Sequence, residues 1–381
     1  MKIVYVINSI ASKGGAERII IEKMNYFAVH CGYDVSVICC YQNDSMPNAY
    51  PLSVKVKQIY MGIPYYSQYY YSYPYRLLVK KRINNQLKEG LRKKINSIDP
   101  DVIVGVSYFA ADVVSSIRCR ARKVIEAHEP RLFTLSNKGS NRSILSSLFM
   151  SLYKRFYFRL VEKRADVVVT LTHGDAYEWR RAKHVEVIPN FTQMTASDIK
   201  KGENKRVIAV GRLEWEKGFD RLIDAWRSVA IQHPDWCLDI FGTGSLRDDL
   251  EKQIKTLELS DKVHLRLFTS NINKEYEKSD ILVSPSHFEG FSLAILEAMR
   301  LGVPSVAFDC PYGPQEVIED GVCGYLVPDG DGDMLAQKIC ELIDNPDIRK
   351  AFSEASLRHA EKFNMDAVMR KWQTLFETGH L

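Results

Sequence analysis

Short, unbroken apolar runs recur through this chain with amphipathic stretches between them, and that alternation limits its fold more than any other feature. KIVYVI, DVSVIC, DVIVGVS, KVIEAH and DVVVTLT lie in the first half; RVIAVG, WCLDIFG, DILVSPS and PSVAFD lie in the second. A strand covered on both faces reads as a continuous apolar run, whereas a strand with one wet face alternates. Between the runs, Ala16 to Val29 and Phe219 to Ile231 carry the three-to-four-residue apolar spacing of a helix with one buried stripe. Strand, helix and strand in repetition give parallel sheets with helices on both faces. At 381 residues the chain exceeds what one core usually serves. The expected fold is therefore α/β, with two Rossmann-like, doubly wound parallel-sheet domains facing across a cleft. The polar stretch NFTQMTASDIKKGENK, Asn190 to Lys205, breaks the pattern and marks the join. The expected organisation is a first domain over 1–190, a linker over 191–205, a second domain over 206–362, and a last helix over 363–381 packing back on the first.

Composition narrows the setting. Eight cysteines at 31, 39, 40, 119, 237, 310, 323 and 340 include no C-x-x-C pair, which reads as reduced core thiols in a cytoplasmic protein and not as a disulfide or zinc framework. The N-terminal KIVYVINSIA lacks a long apolar core and a small-residue cleavage site, so it reads as a first strand. No run of about 18 apolar residues exists to span a bilayer. Charge is divided along the chain: residues 1–190 hold 29 Lys and Arg against 15 Asp and Glu, and the rest hold 23 against 32. The basic half suits an anionic membrane surface or anionic acceptor, or a solvated face with no partner. The tyrosine cluster YYSQYYYSYPYR at 65–76 and the run SILSSLFMSLYKRFYFRLVEKR at 143–164 belong to this half. Both suit a membrane interface and a surface helix over a core equally well.

Ligands of doubly wound sheets bind beyond the carboxyl ends of the strands, so the residues just past each run are informative. SKGGAER comes after the first, where Gly14 and Gly15 let backbone approach an anion at a helix start, or simply make a turn. KVIEAH ends at His128, a satisfied strand-end histidine or a partner of a hydroxyl or developing charge. RVIAVG leads to Arg212 and Lys217 ahead of a helix. A cation at a helix N-terminus is misplaced unless an anion joins it, which favours a diphosphate. WCLDIFG leads to Gly242-Thr243-Gly244, which lacks the third glycine of a dinucleotide fingerprint because Arg247 stands there. A glycine loop passing close to a nucleotide fits better. DILVSPS leads to HFEGFSLAILEAM. With Ser292 opening a helix over Leu293 to Leu301, Glu289 lies in the loop before it and Glu297 in its first turns. Two carboxylates around free N–H groups can hold hydroxyls and an anion in one crevice. In PDGDGD, Asp329, Asp331 and Asp333 precede a helix, where aspartate is the expected cap; a divalent metal is the other reading.

With GGAER, EAHEP, GRLEWEKGFD, FGTGS and FEGFSLAILEAM in this order, the sequence resembles the retaining nucleotide-sugar glycosyltransferases of family 4 type, with the GT-B architecture, over nearly its whole length. The resemblance implies that the Gly14-Gly15 backbone meets the donor phosphate, that Arg212 and Lys217 hold the diphosphate, and that Gly242 and Gly244 pass near the nucleotide. It implies that Glu297 binds ribose hydroxyls, that Glu289 binds the donor sugar with Gly290, Phe291, Ser292 and Leu293 beside it, and that His128 contacts the sugar near its reacting carbon. Ser292 departs from the Phe-Gly of many relatives. The loop DCPYGPQEV, Asp309 to Val317, is similar to members that elongate polysaccharides or lipid-linked oligosaccharides from UDP-sugars. The implied protein needs no metal or other cofactor and no nucleic acid, and sits in the cytoplasm or peripherally on the inner face of the membrane. Alternatives are a sugar-nucleotide epimerase or phosphorylase of the same fold, or a nicotinamide-dependent oxidoreductase.

Overall fold

The computed structural model describes residues 1–72, 75–131, 144–194 and 204–381. It divides into two compact units, one of residues 1–171, 175–188 and 369–381, the other of residues 172–174 and 189–368.

The first unit holds a seven-stranded sheet of β1 (Lys2–Ile7), β2 (Asp34–Cys39), β3 (Lys57–Tyr60), β4 (Val102–Val106), β5 (Arg122–Ala127), β6 (Val167–Thr170) and β7 (Val185–Val187). Their order is β3-β2-β1-β4-β5-β6-β7, with every neighbouring pair parallel. The second unit holds a six-stranded parallel sheet of β8 (Arg206–Val210), β9 (Cys237–Phe241), β10 (Val263–Arg266), β11 (Ile281–Ser284), β12 (Ser305–Asp309) and β13 (Gly324–Pro328), in the order β10-β9-β8-β11-β12-β13. The strand order therefore reverses between β1 and β4 in one sheet and between β8 and β11 in the other. Each reversal parts the following loops and opens a crevice at the carboxyl ends of those two strands.

All nine apolar runs are strands. The four strands that the runs do not include, β3, β7, β10 and β13, are the four sheet edges. An edge strand has one uncovered side and needs no continuous apolar run. KQIY and VEV are accordingly only half-buried, and VHLR buries fully only Val263.

The helices bury the stripes that the sequence marks. Helix Gly15–Val29 buries Ile19, Ile20, Met24 and Phe27; helix Phe219–Gln232 buries Phe219, Leu222, Ile223, Trp226 and Val229. The last helix, Met365–Thr378, packs Phe376 on Phe27 with ring centroids 5.1 Å apart. Arg122 closes its C-terminus by donating to the carbonyls of Leu375 and Phe376 at 3.0 Å each, where a cation is favoured. All eight cysteines are free thiols, five of them buried.

Residues 195–203 of the expected linker, Tyr73 and Pro74 of the tyrosine cluster, and Ser143 lie outside the described residues. The rest of the basic run forms helix Ile144–Arg164. No helix among the described residues is long and apolar enough to cross a membrane.

Candidate active site

In the second unit the chain leaves β8 and β11 at the point where the strand order reverses, and the two loops are fastened to each other. The indole of Trp215 stacks on the His287 ring at 4.3 Å and the amide of His287 donates to the Glu216 carbonyl at 2.9 Å. Between them Gly218 turns in the left-handed region, φ 61°, and a Cβ there would lie 2.2 Å from the Pro285 carbonyl oxygen, so only glycine fits. That turn places Lys217 Nζ 2.7 Å from Glu289 Oε1, which also accepts from the Ser286 hydroxyl at 2.6 Å. Both charged side chains are largely buried. Arg212, by contrast, is 71% exposed and donates to Glu216 at 2.5 Å. The structure thus brings Lys217 and Glu289 together and leaves Arg212 on the rim.

Glu297 lies in helix Leu293–Arg300, buried, and accepts from the Tyr276 hydroxyl at 3.0 Å. Gly290 and Leu293 are half-buried at the helix mouth, while the Phe291 side chain is core, its ring 5.6 Å from Phe363. Gly242 and Gly244 have a packing role. A Cβ on Gly242 would lie 1.8 Å from the Gly211 carbonyl oxygen, and one on Gly244 would lie 2.3 Å from that of Leu213. They let the loops after β8 and β9 bond backbone to backbone, Leu213 N to Thr243 O at 2.9 Å and Leu246 N to Leu213 O at 3.0 Å. In PDGDGD, Asp331 caps helix Gly332–Asp344 by accepting from Met334 N at 2.9 Å, and Asp329 pairs with Arg221 at 2.8 Å. Asp333 lies inside that helix and not before it.

In the first unit Gly14 is the extended N-cap residue of helix Gly15–Val29. The Glu17 carboxylate folds over it, close enough that Oε2 would lie 2.2 Å from a Cβ on Gly14. The helix mouth therefore already faces an anion from its own first turn. His128 follows β5, with Nε2 2.9 Å from Glu126 Oε1; the oxygen lies off the axis of an N–H there. The loop after His128 is tied down by Arg131. Its amide donates to Asp175 at 2.9 Å, its guanidinium to Glu162 at 2.6 Å, and its head lies 5.1 Å from the Trp179 ring centroid. Burial raises the Asp175 carboxyl to about 6.

Residues 13–194 match the family Glycosyltransferase Family 4, and residues 191–359 match Glycosyl transferases group 1, so the two matches together take in most of the chain. The chain is a glycosyltransferase. A glycosyltransferase of Haemophilus influenzae is 28% identical to it over 98% of this chain and 99% of the other. The amylovoran biosynthesis glycosyltransferase AmsD of Erwinia amylovora is 30% identical over 58% of this chain and 64% of its own length. A crystal structure of an S. aureus TarM mutant with fondaparinux, alpha-GlcNAc-glycerol and UDP has a TM-score of 0.78 at 16% identity, covering 99% of this chain and 100% of that one. That likeness establishes the GT-B fold.

Several residues of the candidate site carry no signal in the sequence. Ser286 and Tyr276 look like ordinary strand-end and helix residues until folding sets them against Glu289 and Glu297. The loop Asp309 to Val317 lies along Glu289, whose amide donates to the Pro311 carbonyl at 3.4 Å. Ser292 overturns a local expectation. It stands in the left-handed region at φ 62° and ψ 63° and makes no cap bond, and its buried hydroxyl finds no partner among the described residues. Left-handed backbone costs a non-glycine residue about 1–2 kcal/mol, and an unpaired buried hydroxyl costs about 1–3 kcal/mol. Both outweigh the roughly 0.5–1 kcal/mol that glycine loses in chain entropy. Ser292→Gly should therefore stabilise the transferase by about 1 kcal/mol, read as a rise in the thermal midpoint. A fall would contradict the strain.

Proposed function

We propose that this glycosyltransferase moves a hexose or N-acetylhexosamine, with retention of configuration, from a UDP-sugar to a glycan or lipid-diphosphate-linked acceptor in cell-surface polysaccharide biosynthesis. The observation that carries the reading is the Lys217–Glu289 pair at the β8–β11 switch point. A sugar diphosphate has a charged end that seeks a cation and a hydroxylated end that seeks an acceptor. When the diphosphate engages Lys217, Glu289 is released to accept from the sugar hydroxyls, and two charge-assisted bonds replace one. Arg212 on the rim can turn from Glu216 to the same diphosphate, and Glu297, held by Tyr276, takes the ribose hydroxyls. Neither glutamate has to be a base, because the leaving diphosphate accepts the acceptor's proton on the face it leaves. The protein stabilises the charge that builds there. The UDP in the TarM structure and the polysaccharide named for AmsD support the choice of donor and pathway. Incubation with a panel of nucleotide sugars, followed by proton NMR of the first product, tests the reading. An axial donor should give an axial product from a UDP-sugar. An equatorial product, or turnover with another nucleotide alone, would contradict it.

No metal enters this scheme. Because Asp331 is committed as a cap and Asp329 to Arg221, excess EDTA should leave most of the activity. Loss in EDTA with recovery in magnesium or manganese would overturn that expectation.

The acceptor side of the proposal places the first unit against the anionic cytoplasmic face of a membrane. Tyr66, Tyr69, Tyr70, Leu77 and Leu78 are exposed in one short stretch of the chain, beside exposed Lys80, Lys81 and Arg82. Each such cation contributes about 1 kcal/mol at an anionic surface, and the aromatic rings suit the headgroup layer. Flotation with anionic vesicles should carry the protein at low salt and release it at high salt. Failure to float at low salt, or flotation that ignores salt, would point to a soluble acceptor.

A further inference from the structure

Lys23 and Glu126 form an ion pair inside the core of the first unit, both almost wholly shielded from solvent. Lys23 reaches in from the middle of helix Gly15–Val29, and its Nζ bonds Glu126 Oε1. The Trp372 ring of the last helix covers that ammonium with its centroid 3.7 Å away, and the Tyr5 ring of β1 lies at 5.7 Å. Helical and strand elements therefore converge on one charged contact. Such a pair is a poor device for stability, since apolar groups of the same volume often hold a core as well or better. Its cost calls for another return.

The return lies at His128. Glu126 lies in β5, and His128 stands just past the end of that strand, two residues on. The oxygen that accepts from Lys23 is the one 2.9 Å from His128 Nε2, while Glu126 Oε2 has no hydrogen-bond partner among the described residues. Burial pushes the Glu126 carboxyl up, but Lys23 and His128 beside it outweigh burial and hold it at about 2. Tyr5, the remaining titratable group facing the carboxylate among the described residues, is itself pushed up by burial and by Glu126, so it stays neutral. A carboxylate at hydrogen-bond distance from a ring nitrogen demands a proton on that nitrogen, which in a neutral imidazole leaves the other nitrogen as an acceptor. Off-axis contacts of this kind commonly tighten only when substrate binds.

We propose that Lys23 and Glu126 are positioning residues for His128: Lys23 keeps the charge on Glu126, and Glu126 holds the imidazole with its proton on Nε2 and its Nδ1 open to the donor sugar. This rests on the reading of His128 as a sugar-facing group.

The test compares the full-length double variant Lys23→Met/Glu126→Gln, which removes both charges and leaves no buried one unpaired, with His128→Ala and with the triple variant. In the double variant kcat should fall by about 10- to 100-fold, with KM for the donor nearly unchanged. The triple variant should be no worse than His128→Ala alone. The tautomer is read on the unaltered protein by nitrogen-15 imidazole NMR, with the His128 signal assigned by its absence in His128→Ala. It should be the Nε2–H form, and this readout survives even if the double variant does not fold. A normal kcat in the folded double variant, a further loss in the triple variant, or an Nδ1–H tautomer would overturn the positioning role. An impaired His128→Ala beside a normal double variant rejects the positioning role alone. A normal His128→Ala rejects both it and the reading of His128.

Discussion

Lys217→Ala should lower kcat/KM for the donor by about 100- to 1,000-fold, the roughly 2.7–4 kcal/mol typical of one preorganised charge at a developing anion. Lys217 is the cation at the reversal of the β10-β9-β8-β11-β12-β13 order, largely shielded and 2.7 Å from Glu289. Its field on a diphosphate is therefore weakly screened. Removing it costs twice, because the same change leaves Glu289 with only the Ser286 hydroxyl as a polar partner within its own loop. Arg212→Ala should cost less. At 71% exposure and with Glu216 already on its guanidinium, Arg212 acts across solvent, where a charge is worth less. The sequence weights the two cations equally, and the fold separates them. Steady-state kinetics on the folded variants decide this: wild-type constants for Lys217→Ala, or a larger loss for Arg212→Ala, would contradict the assignment.

The second large effect divides the two glutamates. Glu289→Gln should lower kcat by about 10- to 100-fold while leaving UDP affinity nearly intact, since its carboxylate is assigned to the sugar and UDP lacks the sugar. Glu297→Gln should do the opposite, weakening UDP by about 1.5–3 kcal/mol, the range of a charged hydrogen bond, with a smaller effect on kcat. The geometry supplies the reason for the split. Glu289 precedes helix Leu293–Arg300 in the loop, bonded to Lys217, whereas Glu297 is within the helix, bonded to Tyr276. Titration of UDP into both variants, beside their turnover rates, measures it; equal losses in both would end the division of labour.

How much of this was legible in the sequence depended on whether a residue's neighbours in space were also its neighbours in the chain. Central strands such as β1 and β4 must be apolar throughout, because both their faces are covered, and they stood out. Edge strands such as VEV have no such obligation and did not. Lys217 and Glu289 could each be picked out, since each follows a strand and precedes a helix. Their ion pair could not, because it joins loops 72 residues apart. The glycines Gly242 and Gly244 were visible, but the backbone contact they permit was not. Their first duty is to let two backbones touch, a requirement that leaves the same mark on a sequence as room for a nucleotide. Serine usually caps a helix, and only the backbone angles reveal that Ser292 occupies a glycine's conformation. Lys23 stands on the apolar stripe of its helix, four residues from both Ile19 and Phe27, but its partner Glu126 lies 103 residues away in the chain and could not be read.

The central claim is that a UDP-sugar binds to the loops that follow β8 and β11. Hydrogen–deuterium exchange of the unaltered protein with and without UDP tests it without any substitution. Protection should appear in the segments 211–218 and 286–297, where Lys217, Glu289, the helix mouth and Glu297 lie. Exchange unchanged at saturating UDP, or protection confined to other segments, would contradict the account.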